Sequence, residues 1–471
     1  MTDDDIGWLD MGELARRIRA REVSATEVAQ AMLRRIERHD PTLRAYALVT
    51  PELALGQARD ADAALARGEA TGPLHGVPIA VKDLCWTRGV RTAAGTVVHR
   101  DFVPEVDGTV VRRLREAGAV LLGKLQMTEA AFSAHHPQVT PPRNPWNHDA
   151  WTGSSSSGSG VAVAAALTHG AIGSDTGGSI RFPSAACGVT GLKPTWGRVS
   201  RFGAFELAAS LDHLGPMCRS AADCGRMLGA IAGADADDPT ALPVPVPDYL
   251  AGDTHSLAGV RIGIDEAWTS DRVEPEVVAA LHAALEVLRR LGAVPVAVRM
   301  PPTDPVVAAW RPICAAEAAL AHDATFPSRR DEYGPMLAGV LDAGRALSAL
   351  DYQRALLVRA DFTGRMNALM TGVDLLLMPA MPLAGASLER ITDLRRDPDH
   401  RIWLQRFSAP SDMTGQPTIT LPAGLSQAGL PVAVQLVGAA LREDLLVRAG
   451  RAVQAVTDWH LQRPAQACAG R

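Results

Sequence analysis

The chain has 471 residues, of which 47% are hydrophobic, so it can build a sizeable core and is not globally disordered. At about 100–200 residues per domain, this length allows two to four domains or one large α/β unit. The formal net charge of −5 gives no electrostatic reason to expect a nucleic acid or a membrane surface as a partner.

Residues 1–70 are predicted to form an N-terminal helical region. The acidic start lacks the basic and apolar segments of a signal peptide, and no apolar run approaches the ~18–20 residues of a membrane span. We therefore expect a cytoplasmic protein without a membrane segment. Residues 8–40 have helical patterning with a capping-box pattern at Ser24, and Pro41 is predicted to end that helix. A second helix is predicted over residues 51–68.

Residues 71–237 contain the patterns that indicate chemistry. Short apolar strands are predicted over residues 76–83 and 119–124. Each strand has a lysine at or near its end, Lys82 in the first and Lys124 in the second. Because ligands gather at the carboxyl ends of strands in open α/β sheets, both lysines lie where chemistry is expected.

Lysine is unusually rare in this chain. Only three of the 47 basic residues are lysines, namely Lys82, Lys124 and Lys193, and the other 44 are arginines. A position that needs an amine able to lose its proton cannot use arginine, whose pKa exceeds ~12. All three lysines therefore merit inspection, and for Lys124 and Lys193 a structural role is the favoured interpretation.

The run TGSSSSGSG at residues 152–160 is typical in composition of a flexible linker between domains. A small apolar stretch at residues 161–167 follows it and is predicted to form a tightly packed helix. Residues 170–179 are predicted to form a strand that runs into a glycine-rich turn. Composition alone leaves open whether one of the five serines in the run takes part in chemistry.

The glycine-rich turn ends in a candidate nucleophile, Ser179. Glycines allow successive backbone N–H groups to converge, so Thr176, Gly177 and Gly178 are candidate donors of an oxyanion hole. A tight turn with a capping serine is the alternative interpretation. Ser179 has no base beside it in the sequence, so its activation must come through space, and a buried, neutral Lys82 can supply it.

Residues 238–370 begin with a linker rich in Pro, Asp and Gly and are predicted to form a variable helical, βαβ-like subdomain. Residues 371–471 are predicted to return to the α/β core, with strands near residues 373–378, 418–421 and 432–437. The alternation of strands and helices predicts a mixed, partly parallel sheet covered by helices.

Several common sites are absent from the sequence. Gly153 and Gly158 have the spacing of a phosphate-binding loop, but Ser159 replaces its lysine. His135 and His136 have no companion at metal-ligand spacing, and neither HExxH nor GxSxG occurs. The six cysteines have no CxxC spacing, so we expect buried thiols in a reducing compartment, no metal and no cofactor.

Five parts of the chain carry motifs of one enzyme family. They are Gly76–Asp83, Asn144–Asn147 with Gly153–Ser159, Gly173–Arg181, Gly191–Pro194 and Gly429–Leu436. In these motifs the chain resembles the amidase signature family, and the resemblance covers most of its length. It implies an α/β protein with a single large amidase-signature fold, in which helices cover both faces of a central mixed, twisted sheet.

The resemblance also implies a Ser-cisSer-Lys catalytic triad. The family's nucleophile lies 24 residues after the bridging serine, so Ser179 takes the first role and Ser155 the second. Lys82 takes the role of the base. The family's loop usually has glycines at two positions that are Ser154 and Ser157 here, and nothing in the sequence explains this departure.

Further site residues follow from the same resemblance. Ser156 is the second member of the family's serine pair. Asp175 and Arg181 are expected to brace the loop, with an ordinary salt bridge as the alternative. Residues 126–151 and 300–410 match the family poorly and are expected to line the substrate pocket. Its candidate walls, any of which can instead belong to the core, are Met127, Phe132, His136, Trp146 and Trp151.

The function implied by the resemblance is hydrolysis of C–N bonds in small-molecule amides, with carbamates (urethanes) and esters as further substrates. The alternative is the glutamine-hydrolysing A subunit of an aminoacyl-tRNA amidotransferase, which has the same triad but works in a complex. The variant serine loop and residues 132–142 favour the first. A catalytically inactive scaffold is disfavoured because all three triad positions are filled. We expect a monomer or homodimer without a nucleic-acid partner.

Overall fold

A computed structural model describes residues 1–69 and 72–465 of the chain. Cys468 lies outside the described residues, and the other five cysteines are buried free thiols. The α-helices are α1 (Asp3–Trp8), α2 (Met11–Arg19), α3 (Ala25–Leu43), α4 (Pro51–Ala66), α5 (Thr109–Glu116), α6 (Ser157–Ala164), α7 (Arg181–Cys187), α8 (Ala221–Ile231), α9 (Glu266–Ser270), α10 (Pro275–Arg290), α11 (Asp304–Ala321), α12 (Pro335–Ala346), α13 (Ala349–Met370), α14 (Leu388–Leu394), α15 (Pro398–Gln405), α16 (Ala409–Thr414) and α17 (Glu443–Ala455).

The strands form one mixed sheet. They are β1 (Tyr46–Val49), β2 (Pro78–Lys82), β3 (Val120–Leu125), β4 (Gly170–Asp175), β5 (Thr190–Lys193), β6 (His213–Cys218), β7 (Arg261–Ile264), β8 (Val294–Ala297), β9 (Leu375–Pro379), β10 (Thr418–Leu425) and β11 (Pro431–Gly438). Their order across the sheet is β1-β3-β2-β4-β6-β5-β10-β11-β9-β7-β8. β2 is parallel to β3 and β4, β7 is parallel to β8 and β9, and the other pairs are antiparallel. Helices pack on this sheet, as the predicted α/β class requires.

The strands of this one sheet come from all four regions predicted from the sequence. β1 comes from the N-terminal helical region and pairs with β3 at one edge. β7 and β8 come from the predicted variable subdomain, and they extend the other edge beyond β9. The four regions predicted from the sequence therefore contribute to a single sheet.

Pro41 does not end its helix, contrary to the prediction. It lies inside α3, which continues to Leu43 and ends at Arg44 in the left-handed conformation. A proline removes one N–H donor but does not stop the residues after it from staying helical, and the Arg44 N–H still donates to the Asp40 carbonyl at 2.7 Å. The helical pattern over residues 8–40 is not one helix: it covers the last residue of α1, the whole of α2 and most of α3.

The centre of the sheet positions the candidate site. β2, β3 and β4 are buried along their whole length, as parallel strands covered on both faces are. β2 and β4 are adjacent and parallel, with Val81 opposite Ile172. Their carboxyl ends therefore bring Lys82 and the glycine-rich turn after Asp175 to the same edge of the sheet.

Candidate active site

Lys82 is fully buried at the end of β2 and is surrounded by serine hydroxyls. Its Nζ lies 2.7 Å from Ser155 Oγ, 2.9 Å from Ser156 Oγ and 2.8 Å from Ser174 Oγ. Burial lowers the pKa of Lys82 to about 7, although the negative charge of Asp175 opposes this shift. A large fraction of the amine is therefore neutral near neutral pH.

The serine-rich run is part of the buried interior and not a linker. Residues 152–160 are all buried, and α6 begins inside the run, directly after Ser156. The peptide bond between Ser154 and Ser155 is cis. Gly153 has a φ of +78°, and a Cβ there would lie 2.3 Å from the backbone of Pro183, so only glycine fits.

Each serine in the run has its own partner. Ser154 Oγ accepts a hydrogen bond from Arg395, and Ser155 Oγ contacts Lys82. Ser156 Oγ contacts Lys82 and also donates to the Ser174 carbonyl at 3.2 Å. The remaining two serines contact His135 Nε2 (Ser157 Oγ, 3.1 Å) and the Ile172 carbonyl (Ser159 Oγ, 3.0 Å).

Asp175 holds the turn that leads to Ser179. Its Oδ1 accepts a hydrogen bond from the Gly178 N–H at 2.6 Å, and its Oδ2 accepts one from the Ile180 N–H at 2.9 Å. The Gly178 N–H therefore donates to this carboxylate, which argues against its predicted place in the oxyanion hole. Thr176, Gly177 and Ser179 line a cavity, and Ser179 is half-buried while the residues around it are buried.

Arg181 joins this turn to the C-terminal part of the chain. Its guanidinium pairs with Asp175 at 2.9 Å and with Asp412 at 2.6 Å, and all three side chains are fully buried. Burial alone would raise the pKa of Asp175, but the charge and hydrogen bonds of Arg181 hold it below its usual range. The carboxylate that orients the turn therefore stays ionised.

The other two lysines face away from the serines around Lys82. Lys124 Nζ donates to the Cys85 carbonyl and to Thr92 Oγ1 at 2.7 Å, and it lies 3.8 Å from Asp83. Lys193 Nζ lies 3.1 Å from His213 Nε2. Neither lysine lines the cavity that holds Ser179, which fits structural roles.

A cavity of about 570 Å³ opens next to Ser179. Of the five predicted wall residues, Phe132 and Trp151 line it. The other three do not: Met127 is fully buried, His136 accepts from the Gln138 N–H, and the Trp146 indole donates to the Cys187 carbonyl at 2.8 Å. Sequence reasoning missed the individual walls Phe182, Trp310, Met381, Ile402 and Leu404, although four of them fall in the predicted 300–410 region.

Ser174 was also missed by sequence reasoning. It precedes Asp175 at the end of β4, and its hydroxyl is one of the three around Lys82. Two signals could have found it: it belongs to the Gly173–Arg181 motif, and it lies in a parallel neighbour of β2, so the ends of the two strands meet at one edge.

Comparison with known proteins identifies the family. The family described as Amidase matches residues 27–447. The chain belongs to the amidase signature family. This membership confirms the resemblance seen in the sequence and identifies the protein as an amidohydrolase. In the part of the chain that the structure describes, no helix is both long and apolar enough to cross a membrane.

Relatives match this amidase over nearly its whole length. A Mycobacterium tuberculosis protein named AmiD and proposed to be an amidase is 49% identical over 464 residues, which cover 98% of this chain and 97% of that one. The A subunit of the glutamyl-tRNA(Gln) amidotransferase from Geobacter metallireducens is 38% identical, covering 97% and 98%. The structure of a peptide amidase from Stenotrophomonas maltophilia superposes with a TM-score of 0.84 at 33% identity, covering 97% and 98%.

Proposed function

We propose that this amidase cleaves small-molecule amides through a seryl acyl-enzyme. In this proposal Lys82 is the base, Ser155 the proton bridge and Ser179 the nucleophile. The observation that carries it is the contact of 2.7 Å between Lys82 Nζ and Ser155 Oγ, in a buried site where the amine has a pKa of about 7. Such an amine is matched to general base catalysis near neutral pH.

Hydrogen-bond counting favours Ser155 over Ser156 as the bridge. A neutral lysine has two N–H donors and one lone pair. The Ser156 hydroxyl donates to the Ser174 carbonyl, so it can only accept from Lys82. If the two N–H groups of neutral Lys82 donate to Ser156 and Ser174, the nitrogen lone pair is left to accept the proton of the Ser155 hydroxyl. Contact between the hydroxyls of Ser155 and Ser179 stays a prediction.

The proposed reaction has two stages. Lys82 takes the proton of Ser155 as Ser155 takes that of Ser179, and the Ser179 oxygen forms a bond to the carbonyl carbon. The C–N bond then breaks, and the leaving amine receives the proton that returns through Ser155. A water molecule attacks the acyl-enzyme by the same relay, which releases the acid and restores Ser179.

Binding of the developing oxyanion falls to the N–H groups of Thr176, Gly177 and Ser179. These residues line the cavity, whereas the Gly178 N–H donates to Asp175. The bond from Gly178 to Asp175 then has a different use, since it fixes the turn before the substrate arrives, and preorganised donors stabilise a transition state without further reorganisation.

The cavity supports a stand-alone amidase over a glutamine-hydrolysing subunit. Glutamine carries an ammonium group, and a buried ammonium needs a carboxylate partner. No aspartate or glutamate is among the described residues that line the cavity. Carbamates and esters belong to the proposed substrate range, because a serine nucleophile with an oxyanion site can attack their carbonyls as well.

The test is hydrolysis of an aryl amide by the purified chain and its Ser179→Ala variant. We expect the wild type to act alone, the variant to lose at least about 10³-fold in kcat, and a serine-directed phosphonate to label Ser179. Ser328→Ala, at an exposed serine, is the matched control and is expected to keep full activity. Full activity of Ser179→Ala contradicts the mechanism, and hydrolysis of glutamine but not of aryl amides favours the amidotransferase role.

A further inference from the structure

The described walls of the substrate cavity include arginines but no acidic residue. Arg311, Arg395 and Arg401 line it, and no aspartate or glutamate is among its described wall residues. Among the residues that the structure describes, none of the three guanidinium groups forms an ion pair with a carboxylate, although neighbouring surface arginines do, such as Arg396 with Asp393. Of the three, Arg311 is exposed to solvent, and Arg395 and Arg401 are half-buried. Desolvation of the Arg395 charge costs free energy, which an anion bound in the cavity would offset.

Of these three arginines, Arg395 is the one that reaches the serine-rich loop. Its guanidinium lies over the ring of Trp151, with 5.0 Å from Cζ to the ring centroid. One nitrogen donates to the Ser133 carbonyl at 3.1 Å and another to Ser154 Oγ at 2.8 Å. A guanidinium has five N–H donors, so three are left for a ligand.

No carboxylate of the protein stabilises the charge of Arg395, which leaves this role to an anionic group of a bound ligand. Burial lowers the pKa of Arg395 to about 10, and no acidic group of the protein offsets this shift. The group is still protonated at neutral pH. For Arg401, burial and the positive charge of Arg311 lower the pKa, while the negative charge of Asp397 raises it. Arg401 therefore has an acidic neighbour, whereas no carboxylate offsets the shift of Arg395.

The rest of the cavity is apolar. Its walls include the aromatic rings of Trp151, Phe182 and Trp310 together with Met381 and Leu404. The ligand that fits both features has an aromatic or aliphatic arm and an acidic group. Because Arg395 touches Ser154, which is joined to Ser155 by the cis peptide bond, the acidic group belongs close to the bond that is cleaved.

We propose that the substrate is an amide with an apolar arm and a carboxylate near the scissile bond, and that Arg395 is the residue that binds this carboxylate. This inference rests on the proposed function. It also gives Ser154 a role: the hydroxyl that replaces the family's usual glycine accepts a hydrogen bond from the anion-binding arginine. The fork of a guanidinium matches both oxygens of a carboxylate, which gives selectivity as well as affinity.

The carboxylate can belong to the amine side or to the acyl side of the amide, and two substrate pairs distinguish these sources. Phenylacetylglycine, with its carboxylate on the amine side, is compared with neutral phenylacetylethanolamine. N-benzylsuccinamate, with its carboxylate on the acyl side, is compared with the neutral N-benzylamide of γ-hydroxybutyrate. Each pair differs in charge and keeps the apolar arm.

We expect the wild type to prefer the anionic member of at least one pair by about 10- to 100-fold in kcat/KM, the range for a hydrogen-bonded charged group. Arg395→Gln is expected to remove this preference by lowering kcat/KM for the anionic member about 10- to 100-fold more than for the neutral one. Arg396→Gln, at the exposed neighbour on the same segment, is the matched control and should keep the preference.

Three outcomes overturn the proposal. The first is a wild type that prefers the neutral member of both pairs or shows no preference. The second is an Arg395→Gln variant that loses equally on both members, which would make Arg395 a support for the Ser154 loop only. The third applies if neither pair is hydrolysed. It is the finding that the anionic and the neutral member of each pair protect Ser179 equally well against labelling by the phosphonate. Failure of the phosphonate to label Ser179 at all would instead overturn the proposed function.

Discussion

Lys82 and Lys124 lie at the ends of two neighbouring parallel strands, and both amines are fully buried. Burial lowers the pKa of Lys82 to about 7 and that of Lys124 to about 8. Their partners differ: Lys82 meets three serine hydroxyls, whereas Lys124 meets a backbone carbonyl, a threonine and the Asp83 carboxylate. Burial is the main cause of the low pKa of both lysines, so a low pKa does not identify the base. Hydroxyl partners next to a cavity distinguish a candidate base from a structural lysine.

The largest effect expected from this comparison is that of Lys82→Arg. Arginine keeps the positive charge but cannot act as a base near neutral pH, so kcat/KM should fall by about 10³-fold. Lys124→Arg is the matched substitution, and it is expected to lower Tm by crowding a buried site while affecting kcat/KM far less. The test is to measure kcat/KM by steady-state assays and Tm by thermal unfolding for both variants. Equal losses of activity would show that disturbed packing, and not the lost base, is responsible.

A smaller effect is expected when a hydroxyl next to Lys82 is removed. Ser155→Ala breaks the proposed relay and should lower kcat/KM by about 10²-fold. Ser174→Ala removes a hydrogen bond to the amine and should cost about tenfold or less. The ratio of the two losses, measured under identical conditions, is the informative quantity. A larger loss from Ser174→Ala would move the bridging role to that residue.

The smallest effect is a pH dependence that separates the two lysines. In the proposed mechanism Lys82 acts in its neutral form, so its active fraction would rise with pH through its pKa of about 7. The value of kcat/KM should therefore rise about tenfold per pH unit well below pH 7 and level off above it. The profile of Lys124→Arg should keep the same midpoint. A wild-type profile without a limb near pH 7, or a midpoint that moves with Lys124, would contradict this assignment.

The part of the site that the sequence predicts is local to its motifs. Lys82, Ser155 and the turn before Ser179 occur in motifs with fixed spacing, and β2 and β4 each begin with a short run without polar side chains, residues 78–81 and 170–173. The edge strand β1 has only four residues, and β6 contains both glycine and proline, so neither has a pattern that favours a strand. Both form because neighbouring strands offer pairing partners.

Contacts between distant parts of the chain were not predictable. Ser154 and Arg395 are 241 residues apart, and Arg181 and Asp412 are 231 apart. Nothing in either segment alone indicates its partner, since side-chain contacts of this kind follow from the packing of the whole sheet. The bond from the Gly178 N–H to Asp175 is local, but the Arg181 that pairs with Asp175 also pairs with the distant Asp412.

The adjacent residues Ser154 and Ser155 have hydroxyls that contact different parts of the chain. The Ser154 hydroxyl accepts a hydrogen bond from Arg395, 241 residues later in the chain, and the Ser155 hydroxyl contacts the buried amine of Lys82. For a protein engineer this is a useful separation. If the proposals hold, a library restricted to positions 154 and 395 would explore substrates of new charge and leave the residues of the proposed proton relay unchanged.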